Sequence, residues 1–319
     1  MKRKNVSFIA LVMAAVLALT GLAGCGAPSG GSASGSGSSA SSGSSASSAS
    51  GGSSSAAAAT TGTINVVTRE NGSGTRSAFV ELFEVQTEDS AGKKVDAIAS
   101  SAVETNSTAV MLSTIKDDPH GIGYISLGSL NSDVKALSID GVEATTANVK
   151  SGSYKISRPF NIATKDNSNQ AAQDFIAFIL SSEGQKIIND DHYIAVEDSA
   201  PKYASNGASG DVTVAGSSSV SPVMELLIDG YKSANPNVKV TLQTSDSSTG
   251  MTQTIDGVCD IGMASRELKD SETSAGLTSQ TIAIDGIAVI VNKDNSFKNL
   301  TKEQVMKIFL GEVSDWSKL

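Results

Sequence analysis

Three stretches of the chain share one design: an apolar run, then glycine and hydroxyl residues, then a helical pattern. They are VVTRENGSGTR (66–76), VTVAGSSSVSP (212–222) and TLQTSDSSTGM (241–251). Each reads as a strand running through a small-residue loop into a helix, so the fold class is α/β. The first turn of a helix leaves amide N–H groups unpaired and carries a partial positive charge. Glycine lets the backbone approach a ligand, and serine or threonine adds a donor. One such junction is ordinary helix capping. Three in one chain suggest convergence on a tetrahedral oxyanion, at the strand ends where α/β folds bind ligands.

The rest of the chain from residue 63 alternates in the same way. TINVVT, GIGYISL, VKALSI, RPFNIAT and CDIGMAS read as strands, and TIAIDGIAVIVNK as a long apolar extended run. TRSAFVELFEV, NSTAVMLSTIKD (opened by Asn106 or Ser107) and SPVMELLIDGYKSA read as helices. TKEQVMKIFLGE does too, with Thr301 as N-cap. NQAAQDFIAFILSSEGQKIIND, 169–190, reads as one helical run, with Ala172, Phe175, Ile176, Phe178 and Ile179 at helical spacing.

The beginning is different. MKRKNVSFIALVMAAVLALTGLAGC has a basic head and an apolar run. Its end, Leu22-Ala23-Gly24-Cys25, resembles the lipobox of bacterial lipoproteins. That resemblance implies a signal peptide over 1–24, cleavage before Cys25 and acylation (palmitate) of its thiol. Residues 26–62 are almost wholly Ser, Gly and Ala without charge. They have nothing to bury and read as a disordered tether, with an end-to-end distance on the order of 30–35 Å. The formal net charge is −9, and loss of Lys2, Arg3 and Lys4 with the leader leaves −12, which excludes a nucleic-acid surface. Cys259 has no second cysteine to pair with once Cys25 is acylated, and reads as a small buried residue.

The junctions carry a family resemblance. TVAGSSSVSPVMELLIDGYKSANPNVKVTLQTSDSSTGMTQTIDGVCDIGMAS is similar to the N-terminal half of the phosphate-binding proteins of bacterial phosphate ABC transporters (the PstS type), and GIAVIVNKDN with LTKEQVMKIFLGEVSDW to its continuation. INVVTRENGSGTRSAF, GIGYISL, ISRPFNIAT and AAQDFIAFILSSEGQKII resemble the C-terminal half. The order is reversed, which implies a circular permutation. The old termini are then joined through YIAVEDSAPKYASNGASGDVTV, and new ones open before Thr63. A fusion of two unrelated fragments is the weaker account, because neither half is duplicated.

The resemblance implies a two-lobed class II periplasmic-binding-protein fold with two hinge crossings, near IAIDGIAVI and YKISRPFNI. After the signal peptide (1–24) and the lipid-anchored linker (25–62), one lobe runs continuously over 156–283 and the other combines 63–155 with 284–319. It further implies a monomeric lipoprotein on the outer face of the cell membrane, binding inorganic phosphate in the interlobe cleft for an ABC permease. No cofactor, metal or catalysis is expected. The ligand set carried over is Arg69, Ser73, Gly74, Thr75, Ser218, Ser219, Ser247, Ser265 and Arg266. Arg69 is the fixed charge, able to form two parallel hydrogen bonds to phosphate.

One departure bears on specificity. Many family members have an aspartate just after the DIGAS-like strand, where it accepts a proton from phosphate and so rejects sulfate. The aligned residue here is Ser265, followed by Arg266. Arg266 is open between a second cation and a surface salt bridge. The missing acceptor is open among Asp246, Glu70 and Glu267. Sulfate or molybdate binding, or a surface sensor or adhesin module, are the rivals on the same fold. An enzyme is disfavoured: His120 and His192, the only histidines, sit in no ligand-spaced cluster, and no G-x-S-x-G surrounds Ser73.

Overall fold

Hydroxyl, amide and carboxylate side chains start most of the helices. Ser73, Ser107, Thr145, Asn169, Ser181, Asp246 and Thr301 each accept a hydrogen bond from a first-turn backbone N–H, satisfying a donor the helix cannot. Thr301 adds a full capping box with Gln304. The computed structural model describes residues 60–165 and 169–319. The expected signal peptide, Cys25 and the linker up to residue 59 lie outside the described residues.

The first part holds β1 (Asn65–Arg69), α1 (Gly74–Leu82), β2 (Gln86–Glu88), β3 (Lys94–Asp96), β4 (Val103–Thr105), α2 (Thr108–Asp117), β5 (Gly121–Ser126), β6 (Val134–Ala136), β7 (Ser138–Ile139) and α3 (Thr146–Lys150). Next come β8 (Ser157–Lys165), α4 (Gln170–Ile179), α5 (Ser182–Asp190), β9 (Ile194–Ala195), β10 (Gly210–Ser217), α6 (Ser221–Ala234), β11 (Val238–Ser245), α7 (Ser247–Ile255), β12 (Ile261–Ala264) and α8 (Asp270–Ser274). The last part is β13 (Leu277–Asn292), β14 (Asn299–Leu300) and α9 (Lys302–Phe309). Among these, α4 and α5 correct the single helix expected over 169–190. Leu180 caps the first, and the Ser181 hydroxyl accepts from the Gly184 amide to start the second.

The main sheet runs β11-β10-β12-β8-β13-β5-β1-β4. Its two ends are parallel (β11, β10 and β12; β5, β1 and β4), and β8 and β13 join them in antiparallel pairing. The 16-residue β13 is the spine. Leu277–Gly286 pairs along β8, and Ile287–Val291 pairs with β5. It therefore belongs to both lobes, as a strand crossing between them must.

Two large hydrophobic clusters sit on either side of this crossing. One gathers Phe79, Phe83, Met111, Ile115, Tyr124 and Ile156 with Ile287–Val291, Phe309 and Trp316. The other gathers Phe160, Phe175, Ile179, Val214, Met224, Tyr231, Met263 and Ala283. Apart from Ile194, which packs with the first cluster, the second is built from one uninterrupted span, Phe160–Ala283. The first draws on both ends of the described chain, and a seam closes it. The Ile64 amide donates to the Ser314 carbonyl at 2.9 Å and the Trp316 amide to the Gly62 carbonyl at 2.9 Å. The indole Nε1 of Trp316 donates to the His120 carbonyl at 3.0 Å. Among the described residues, no helix is long and apolar enough to cross a membrane.

Candidate functional site

Parallel strands aim their C-terminal ends in one direction, and the loops that follow them meet between the two clusters. Arg69 is the last residue of β1, and its side chain is 3% exposed. Nη2 donates to the Ser218 hydroxyl at 3.0 Å, after β10 in the other lobe. Nη1 donates to Thr108 Oγ1 at 3.4 Å. Glu70 takes Nε at 2.8 Å and Nη2 at 2.6 Å on its two carboxylate oxygens. Behind this residue the Tyr124 hydroxyl bonds Thr68 Oγ1 and accepts from the Arg69 amide, and its ring stacks on Phe79 with centroids 3.9 Å apart. Burial pushes the Tyr124 phenol up to about 12, so it stays a neutral, fixed partner.

Four residues later the chain enters α1. Ser73 is its N-cap, with Oγ accepting from the Arg76 amide at 3.3 Å. Gly74 is required by the approach of the other lobe: a Cβ there would meet Ser247 Oγ at 2.5 Å and Ser265 Oγ at 2.7 Å. Thr75 is fully buried. Its Oγ1 lies 2.7 Å from Ser219 Oγ and 3.5 Å from Ser265 Oγ. Ser247, first residue of α7, accepts the Ser265 amide on its hydroxyl at 3.1 Å. Arg69, Gly74 and Thr75 thus meet Ser218, Ser219, Ser247 and Ser265 in one buried interlobe cluster, while Ser73, buried beside them, uses its hydroxyl to cap α1.

Its members do not offer identical groups. The Ser218 amide is committed to the Ser245 carbonyl at 2.9 Å, so that residue contributes its hydroxyl. The Ser219 amide leans on Ser217 Oγ at 3.3 Å. Gly74 and Thr75 open α1, where the first-turn amides have no helical acceptor.

Arg266 departs from expectation. Nη1 and Nη2 bond the two oxygens of Glu272 at 2.8 and 2.7 Å, and Nη1 also reaches the Glu267 carbonyl at 2.8 Å. Both side chains of this pair are buried, so it is neither the free second cation nor a surface bridge. Most of the guanidinium is used in bracing α8: Nη2 adds a contact to Ser248 Oγ at 3.3 Å, and the buried Nε meets no acceptor.

The three candidate acceptors are engaged as well. Both Glu70 oxygens hold Arg69. Asp246 caps α7, taking the Thr249 amide at 2.9 Å and its hydroxyl at 2.5 Å. Glu267 accepts from Asn161 Nδ2 at 3.3 Å.

Two contributors were not singled out from the sequence. Ser217 Oγ donates to Ser265 Oγ at 3.0 Å. Thr108 lies 3.3 Å from Ser219 through its hydroxyl, and its amide donates to Ser218 Oγ at 3.4 Å. The signal for Thr108 was partial: VETNSTAV is a fourth strand-to-helix junction with hydroxyls but no glycine, β4 into α2.

The site is close to electroneutral. Arg69 pairs with Glu70, Arg266 with Glu272, and on the crossing strands Arg158 pairs with Asp285 at 3.1 Å. What distinguishes it is the density of oriented neutral donors. Among the described residues, no group of three or more His, Cys, Asp or Glu is placed to hold a metal ion. Cys259 is buried beside Thr254.

The PBP superfamily domain matches residues 48–183 and 201–319. The phosphate-binding protein PstS 2 of Streptococcus agalactiae is 53% identical over 263 residues, covering 82% of this chain and 89% of that protein. The chain belongs to the PstS-type phosphate-binding protein family. A solved structure agrees with this PstS-type assignment. That of a phosphate ABC transporter's phosphate-binding protein from Streptococcus pneumoniae is 44% identical, covers 81% of this chain and 99% of that one, and has a TM-score of 0.64. The PstS of Pseudomonas aeruginosa is 31% identical over 149 residues, which span 39% of this PstS-type chain and 46% of that protein.

Proposed function

We propose that the chain captures inorganic phosphate between its lobes and delivers it to the permease of an ABC transporter. One observation carries this reading: a guanidinium, hydroxyls and first-turn amides from separate segments of both lobes converge in a single buried cluster. An entering tetrahedral anion takes the protons of Thr75, Ser219 and Ser265 in place of their contacts with one another. The α1 amides and Arg69 complete its shell. Each hydrogen bond to the charged ligand contributes roughly 1.5–3 kcal/mol, and a few suffice for micromolar affinity, about −8 kcal/mol. Opening and closing turn about β8 and β13, the two crossings. The names of the streptococcal relatives supply the phosphate.

The protein acts as a monomeric binding component, not an enzyme. It is held to the outer face of the membrane by a lipid on Cys25, and the Ser/Gly-rich run gives it reach. We also read its lobe order as a circular permutation. The S. agalactiae relative aligns along nearly its whole length, so it shares this order, whereas the P. aeruginosa protein aligns over less than half. Sulfate or molybdate is the second reading, because the hydroxyl at Ser265 both donates and accepts and rejects an unprotonated anion less sharply than a carboxylate would.

Calorimetric titration of the leaderless chain with phosphate and with sulfate, across pH, tests the ligand. Saturable heat with phosphate at micromolar concentration is expected, with weaker binding of sulfate. Saturation by sulfate or molybdate, with no heat from phosphate at any pH, would refute the phosphate reading.

A further inference from the structure

Of the three buried arginine–carboxylate pairs, Arg158–Asp285 is the least complete. Arg69 and Arg266 each give two N–H groups to their carboxylate, but Arg158 gives one, Nη2 to Asp285 Oδ2 at 3.1 Å. Its Nε and Nη1 meet no protein acceptor, although the residue is only 4% exposed. Two unpaired donors on a buried cation are costly, and proteins keep such groups where a partner arrives.

The register places these donors at the cleft floor. Strand β8 pairs with β12 at Asn161↔Ala264 and with β13 at Arg158↔Asp285. Arg158 therefore stands just beyond the end of β12, level with the loop that carries Ser265 and Arg266. An interlobe groove of about 390 Å³ passes between Arg158, Arg266 and Lys269 on one side and Ser77 and Glu81 of α1 on the other, and the Arg158 Nε and Nη1 are buried away from it. The groups facing Arg158 are Asp285 on β13, Tyr193 just before β9, the Phe160 ring at 5.4 Å on its own strand, and Arg69 from β1. Burial, and then the neighbouring charge of Arg69 working against Asp285, push its guanidinium down to about 10. It is still cationic at neutral pH.

We infer that Arg158 is a second cation of the anion site, giving Nε and Nη1 to the bound phosphate from the cleft floor while Asp285 fixes the plane of its guanidinium. This rests on the phosphate reading above. A second guanidinium favours the dianion over the monoanion, so Arg158 sets how steeply affinity rises as phosphate loses its second proton.

Calorimetry with inorganic phosphate between pH 5.5 and 8, on the full mature chain, separates the possibilities. Arg158→Lys keeps the charge and loses the fork, and about tenfold weaker binding is expected. The double variant Arg158→Met, Asp285→Asn removes both charges and strands neither. It should bind about 30-fold more weakly at pH 8 and lose most of the rise in affinity with pH. Burial raises the Asp285 carboxyl to about 6, inside this window, so Asp285→Asn alone is the control, and it should keep the rise between pH 7 and 8. Should either Arg158 variant fail to fold, the unaltered chain still decides. Phosphate should shift the Arg158 Nε–H resonance and slow its exchange with water. Wild-type affinity and pH slope in the Arg158 variants, or an unmoved Nε–H in the native protein, overturns the inference. If the native protein takes up no phosphate at all, it is the proposed ligand that fails.

Discussion

Two buried polar clusters in this protein are built on opposite plans. In the continuous lobe Asp174, 1% exposed, is ringed by donors. Oδ2 accepts from the hydroxyls of Tyr203 at 2.5 Å and Tyr231 at 2.7 Å, from Asn235 Nδ2 at 2.9 Å and from Ser205 Oγ at 3.3 Å, and Oδ1 accepts the Asn206 amide at 2.7 Å. Every partner lies within one lobe. The carboxylate has no proton to give and little capacity left, so this cluster does one thing: it pins the irregular segment around 203–206 to α4 and α6. The cleft cluster joins hydroxyls of two lobes at 2.7–3.5 Å. A hydroxyl donates once and accepts twice, so each can turn its proton toward a new acceptor without leaving a buried group unpaired. Local charge-assisted bonds hold the lobe, and exchangeable neutral bonds between lobes are left for the ligand.

Breaking the first cluster should have the largest effect on stability. Asp174→Ala strands the buried Tyr231 hydroxyl and frees the segment that carries Tyr203 and Asn206, while Asn235 keeps the Ala208 carbonyl at 3.1 Å; a loss of about 3 kcal/mol is expected. Urea unfolding measures it, while phosphate affinity of the folded fraction is retained. Burial pushes the Asp174 carboxyl up, but the hydrogen bonds from Tyr203, Asn206, Tyr231 and Asn235 more than offset this and hold it below its ordinary value. Its contribution is therefore whole above the unfolded value near pH 4, and is lost as pH falls through the lower folded value. In Asp174→Asn that acid limb should flatten. An unchanged limb would mean that the ring of donors does not stabilise the charge.

Breaking the second should affect binding more than stability. Arg69→Ala takes away the charge proposed to face the ligand, and at least about 100-fold weaker phosphate binding is expected; it also leaves Glu70 without its partner, so a lower melting temperature accompanies the loss while the chain still folds. Thr75→Val keeps the shape and deletes a hydroxyl shared by both lobes. Removing a donor to a charged ligand corresponds to about 10- to 100-fold. Near-native affinity in either variant would move the ligand away from this cluster.

How much of this was legible beforehand follows from the range of the interactions. Caps and strand ends are local, so Ser107, Thr301 and the junctions at Arg69, Ser218 and Ser247 could be read directly. The break between α4 and α5 could not, because apolar spacing continues through Leu180. It is fixed by packing, where Gly184 approaches the Phe178 carbonyl so closely that a Cβ would lie 2.3 Å from it. The arginine partners were hidden for a different reason. Asp285 lies 127 positions from Arg158, and Glu272 sits on the five-residue α8, too short to show a period. Residue type marked the donors, and only the fold shows which were already spent.

The smallest effect should come at Ser265, the position where the family resemblance leads one to expect a carboxylate. Its amide is fixed by Ser247 Oγ and its hydroxyl by Ser217, with Thr75 at 3.5 Å. Ser265→Ala removes one neutral hydroxyl and leaves Ser217 with its proton free to turn toward the ligand, so a loss of only about 3- to 10-fold in phosphate affinity is expected. The informative quantity is the ratio to sulfate. Donating its proton, Ser265 serves either anion. Accepting one, it serves only the protonated phosphate. An equal loss for both anions in Ser265→Ala means that the hydroxyl donates and discrimination lies elsewhere in the cluster. A loss confined to phosphate means that a neutral oxygen here performs the selection that the family resemblance assigns to a carboxylate.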